Sequence, residues 1–129
     1  MHMGYEVLVA GDSAPDRMRL AASLRRMRPQ WELTLAANAD EALSAIVCAP
    51  IDLALLDFNR PGTDGLELAA LMRRTRPKMP VAVVSAYLLD ANVMRAQELK
   101  ATLIPRPMTE EALAAFLTGA ELRLQTEAG

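Results

Sequence analysis

Short apolar runs and amphipathic stretches alternate along the chain. Residues 5–10 (YEVLVA) form an apolar run that stops at Gly11 and predicts a buried strand. Ser13, Pro15 and Asp16 then mark a helix start, because Ser caps, Pro suits the first turn and Asp complements the dipole. That helix carries Met18, Leu20, Leu24 and Met27 on its apolar positions and stops before Pro29. Residues 31–36 (WELTLA) alternate as a second strand, and Asn38 with Glu41 caps a helix through Leu43, Ile46 and Val47 to Pro50.

Residues 51–56 (IDLALL) are nearly all apolar, as expected of a central parallel strand covered on both faces. A turn-rich loop over 57–65 (DFNRPGTDG) leads to a helix over about 66–75, closed by Pro77. Residues 81–84 predict a fourth strand, 90–99 a helix begun by Asp90, and 101–104 a fifth strand. Thr109, Glu110 and Glu111 open a last helix with Leu113, Phe116, Leu117 and Leu124 on its apolar side. Five strand–helix pairs in this length predict an α/β fold: a doubly wound five-stranded parallel sheet with helices on both faces.

Composition narrows the chemistry. The 129 residues carry 52% hydrophobic and 23% charged residues, a globular balance that one domain accommodates. A net charge of −2 and 4% aromatics argue against nucleic-acid binding by this chain alone. The lone Cys48 excludes a disulfide framework or a multi-cysteine metal site, and its apolar surroundings predict core packing. The only histidine, His2, sits within residues 1–4, expected to be a disordered or cloning-derived start, so histidine-based catalysis is excluded. Met18, Met27, Met72 and Met94 fall in predicted helices and are expected to fill core. No apolar run approaches a membrane span and no secretory signal is visible, so no membrane partner and a cytoplasmic location are expected.

Ligands of open parallel sheets bind beyond the carboxyl ends of the strands. The polar residues there are Asp12 and Ser13 after the first strand, and Asp57 and Asn59 after the third. Ser85 ends the fourth strand and Arg106 follows the fifth. Singly, Asp and Ser are ordinary caps and Arg106 an ordinary surface charge. Their shared edge favours a functional reading. Asp57 is the sharpest case: it ends the most apolar strand, and an acid in such surroundings needs a cation or hydrogen bonds.

Over residues 5–125 the chain resembles the receiver domains of bacterial two-component response regulators. The motifs are VLVAGDS (7–13), AANADEAL (36–43), LLDFNRPGTDGLEL (55–68), VVSA (83–86) and LIPRP (103–107). The resemblance implies a flavodoxin-like receiver with strand order 2-1-3-4-5. It implies that Asp57 accepts a phosphoryl group from a sensor histidine kinase or phosphotransfer protein. Asp12, Asp57 and the backbone carbonyl of Asn59 match Mg²⁺ ligands, oxygen donors suited to a hard cation. Ser85 matches the hydroxyl that turns toward the phosphoryl group, and Arg106 stands where the family has Lys. The Arg106–Pro107 peptide matches a bond that is cis in the family. A downstream effector domain or protein is the implied output partner, reached through the face of the fourth helix, fifth strand and fifth helix. No enzymatic activity is expected beyond self-phosphorylation from a donor and self-dephosphorylation.

Four positions depart from the family pattern. Gly11 replaces one of two adjacent acids, Arg106 replaces Lys, Leu103 replaces a frequent Tyr or Phe, and Arg60 replaces an often apolar residue. The lost acid should weaken Mg²⁺ binding, and a planar guanidinium is not equivalent to an ammonium. Leu103 reads as strand core, and Arg60 as solvent-facing. A pseudo-receiver, which keeps the fold as a phosphorylation-independent interaction module, therefore stands beside the phosphorylatable reading. A phosphoaspartate hydrolase of the haloacid dehalogenase type is disfavoured, because Asn59 stands where its general acid/base would be.

Overall fold

The computed structural model describes residues 4–58 and 65–128. Five strands and five helices alternate along it: β1 (Glu6–Gly11), α1 (Ala14–Met27), β2 (Glu32–Ala36), α2 (Ala39–Cys48) and β3 (Leu53–Asp57). They continue as α3 (Gly65–Thr75), β4 (Val81–Ser85), α4 (Asp90–Leu99), β5 (Thr102–Pro105) and α5 (Glu110–Ala128). All strand pairs are parallel, in the order β2-β1-β3-β4-β5. The expected α/β architecture is the one observed, with element ends within about two residues of the sequence reading.

Period-two alternation splits the core across the sheet. Leu8, Ala10, Ala54, Leu56, Val81 and Val83 face one way, packing with Ile46 of α2, Leu66 and Met72 of α3 and Ala96 of α4. Val7, Val9, Leu53, Leu55, Ala82 and Val84 face the other, packing with Leu20 and Leu24 of α1 and Leu113, Phe116 and Leu117 of α5. By that alternation Asp57 belongs with Leu53 and Leu55, on the face covered by α1 and α5.

The predicted helix starts hold. The Ser13 side chain accepts the Asp16 N–H, and Asn38 accepts the Glu41 N–H at 2.8 Å. Glu41 in turn accepts the Ala37 N–H at 2.8 Å, one residue outside the usual capping box. Thr109 accepts the Ala112 N–H at 3.1 Å ahead of α5. Three packing expectations fail. Cys48 is exposed at the end of α2, while Met18 and Met94 are 55% and 61% exposed. Each lies on the outward face of its helix, where identity as an apolar residue does not bring burial. Met72 is fully buried and Met27 partly so, as expected. Among the described residues no helix is long and apolar enough to cross a membrane.

Candidate functional site

Asp57 is the one buried charged residue among those described, 6% exposed at the tip of β3. The four strand residues before it are fully buried, so its carboxylate emerges from an apolar wall. Burial of a lone carboxylate is costly unless a cation or donors meet it. Arg106 supplies the cation: its Nη2 forms an ion pair with Asp57 Oδ1, and both side chains are largely shielded from solvent. Arg106 reaches this place because β5 ends beside β4, with Pro105 in register with Ser85. Its own N–H donates to the Ser85 carbonyl at 3.1 Å. The Arg106–Pro107 peptide is cis.

Gly11 pairs with Asp57 in the β1–β3 register, so Asp12 follows at the same sheet edge. Asp12 is half-buried, with its Oδ2 atom out of solvent. Ser85 lies at the rim, yet its hydroxyl is turned to the following loop. It accepts the Tyr87 N–H at 3.0 Å, with the Tyr87 carbonyl 3.4 Å away. Asn59 and Arg60, also singled out in the sequence, lie outside the described residues. The structure thus brings Asp12, Asp57 and Arg106 to one edge and leaves Ser85 beside them, bonded elsewhere.

Sequence pattern does not single out three further residues here. Asp16 reads there only as a dipole partner in the first turn of α1. In the structure its Oδ2 lies 3.8 Å from Arg106 Nη1, and its Oδ1 pairs with Arg19. Arg17 donates from Nη1 to the Gly11 carbonyl at 2.6 Å, tying α1 to the end of β1. No spacing rule links these residues to Arg106, about ninety positions away. Asp57, Arg106, Asp16, Arg19, Ser23 and Met108 line a cavity of about 200 Å³ between α1 and the segment leading into α5.

The donor set suits a hard cation. Two carboxylates, Asp12 and Asp57, stand at adjacent strand ends, the second paired with one guanidinium. Among the described residues no group of three or more His, Cys, Asp or Glu could hold a metal. A divalent ion held by Asp12 and Asp57 would complete its shell with waters or backbone carbonyls, the habit of Mg²⁺.

Comparison with known proteins decides the family. Residues 7–118 match the family model of the response regulator receiver domain. The chain belongs to that family. Among curated relatives, the receiver is 31% identical over 118 residues to the phosphate regulon transcriptional regulatory protein PhoB of Pseudomonas aeruginosa, covering 89% of this chain and 51% of PhoB. It is 26% identical over 129 residues to the cyclic di-GMP phosphodiesterase response regulator RpfG of Xanthomonas campestris, covering 97% of this chain and 34% of RpfG. The chain thus spans about half or less of these relatives' length. Among solved structures, a CheY-like response regulator receiver domain from Methanospirillum hungatei superposes with a TM-score of 0.82 at 25% identity. That match covers 97% of this chain and 98% of the other. The receiver fold, its strand order and its place in two-component signalling follow from these matches.

Proposed function

We propose that this receiver accepts a phosphoryl group on Asp57 from a phosphohistidine of a sensor histidine kinase or phosphotransfer protein, and thereby switches the surface it presents to an effector. The observation that carries this reading is the buried Asp57 carboxylate at a strand tip, met by Arg106 and open to a cavity. In the step, an Asp57 oxygen bonds to phosphorus, the P–N bond of the donor breaks, and the imidazole leaves with the bonding pair. Arg106 offers nitrogens in a fork that matches phosphoryl oxygens. Asp12 and Asp57, with the Asn59 carbonyl, would hold Mg²⁺. The ion, when bound, offsets charge on the transferring phosphoryl oxygens. Ser85 must give up its bonds to Tyr87 before its hydroxyl serves a phosphoryl group.

Incubation with acetyl phosphate and Mg²⁺ is expected to add one phosphate to the intact chain. Borohydride trapping should locate it at Asp57, and Asp57→Asn should abolish it. Modification that persists in Asp57→Asn overturns the assignment.

One observation favours the pseudo-receiver reading. Gly11 offers no second acid, and a Cβ there would stand 2.6 Å from the Asp57 carbonyl oxygen, so the chain is shaped around its absence. A chain that gains no phosphate from acetyl phosphate, and none from any phosphohistidine donor, supports that reading.

A further inference from the structure

The ion pairs at the site join in a chain that crosses from one element to another. Arg106 presents Nη2 to Asp57 on β3 and Nη1 to Asp16 on α1, 3.8 Å away. Asp16 is itself held on its other oxygen, where Oδ1 pairs with Arg19. The Arg106 and Asp16 side chains are only 20% and 23% exposed, so salt screens their contact less than it does a surface pair. Arg106 Nε and Nη2 are out of solvent altogether. A guanidinium presents separate nitrogens in a rigid plane and so serves two carboxylates at once, whereas an ammonium concentrates its charge at one point. Arg at 106 and Asp at 16 thus form a matched pair.

We propose that Asp16 is a positioning residue for this site: it anchors Arg106 to α1 and keeps the guanidinium on Asp57, so that a divalent cation reaches Asp57 only in competition with Arg106. The competition rests on the metal-binding reading above; the anchoring does not. The two carboxylates act on different nitrogens, so Asp16 supports the Arg106–Asp57 pair instead of drawing Arg106 away. Losing Asp16 frees Arg106 to leave Asp57.

The sign of the effect separates this role from simple charge. Removing a nearby negative charge should, by Coulomb's law alone, weaken binding of a cation. Anchoring predicts the reverse. Mg²⁺ affinity by calorimetry is compared in the unaltered chain, Asp16→Asn, Arg106→Ala and the double variant. Asp16→Asn is expected to tighten Mg²⁺ about twofold to fivefold, the scale of an ion-pair partner. That gain should vanish in the Arg106→Ala background, where there is nothing to anchor. In the metal-free protein, exchange of the Arg106 Nε–H with water, followed by NMR, should quicken in Asp16→Asn. Asp16→Glu should keep both readouts near those of the unaltered chain, which separates anchoring from damage to α1. Weaker Mg²⁺ binding in Asp16→Asn, an equal gain without Arg106, or unchanged Nε–H exchange overturns the proposal and leaves the phosphoacceptor reading standing. Absence of Mg²⁺ binding in all four chains, Arg106→Ala included, overturns the metal reading and the competition, while faster Nε–H exchange still upholds the anchor.

Discussion

Gly11 shows how one residue constrains the site. A Cβ placed there would meet the Asp57 carbonyl oxygen at 2.6 Å, the attached carbon at 3.4 Å and the Asp57 Cβ at 3.5 Å. The first contact is with backbone, which cannot rotate aside, so β1 and β3 would have to part at Asp57. Gly11→Ala is therefore expected to destabilise the fold by about 1–3 kcal/mol, the scale of overpacking in a tight core, as read by urea unfolding. The same strain accompanies Gly11→Asp, which restores the second acid. That variant should bind Mg²⁺ more tightly in calorimetry, since outer carboxylates are typically worth ~10–100-fold in metal affinity or activity. It should also be less stable. Unchanged Mg²⁺ affinity would mean that Asp12 and Asp57 hold the ion without help, or that neither holds it. The alanine variant separates the two effects, because it adds the bulk without the charge.

At the scale of elements, arginines close the end of the sheet opposite the site. A helix leaves its last carbonyls without partners inside the helix. Arg76 donates from Nη1 to Ile46 O of α2 at 3.0 Å and from Nη2 to Ile51 O, just ahead of β3. Arg73 donates from Nε to Leu99 O at 2.9 Å and from Nη1 to Met79 O, joining the end of α3 to the end of α4 and the approach to β4. Burial and the charge of Arg123 hold the Arg73 guanidinium below its ordinary pKa, though an arginine stays charged at any ordinary pH. These bonds come from charged donors to partly buried carbonyls. Arg76→Met should thus cost about 1.5–3 kcal/mol in urea unfolding while sparing the distant Asp57–Arg106 pair. A loss below ~0.5 kcal/mol would mean that water replaces Arg76 at these carbonyls. Sequence pattern cannot foresee this use, because the carbonyls that Arg73 and Arg76 reach belong to other elements brought near by the fold. Apolar spacing likewise overstates Met18 and Met94, since period alone does not tell how wide a helix's buried stripe is.

At the scale of the whole molecule, the fold was legible because strand runs, caps and proline stops all pointed to one alternating architecture. Asp57 and Arg106 were legible because parallel topology gathers strand ends at one edge. Asp16 and Arg17 were not, because their partners depend on how α1 lies over that edge. The same topology bears on how a signal would leave the site. Leu103 is half-buried, packed against the core cluster of α2, α3 and α4, and has no ring to move between two packed positions. Ser85 instead is bonded to the backbone of Tyr87, whose side chain is 56% exposed. Asn92 also donates to the Tyr87 carbonyl at 2.8 Å, joining that loop to the first turn of α4. Drawing the Ser85 hydroxyl toward a phosphoryl group would release the Tyr87 N–H and shift the loop over 86–89, where Leu88 and Leu89 are exposed. Beryllium fluoride with Mg²⁺, a phosphoryl mimic, should therefore change amide exchange in that loop, in the first turn of α4 and after Asp57. The hydrogen-bonded core of β5 and α5 should keep its exchange rates, because one source of a second packed arrangement is missing there. Broad changes through residues 90–110 that survive Tyr87→Ala would show a switch that spreads beyond this loop and needs no aromatic ring.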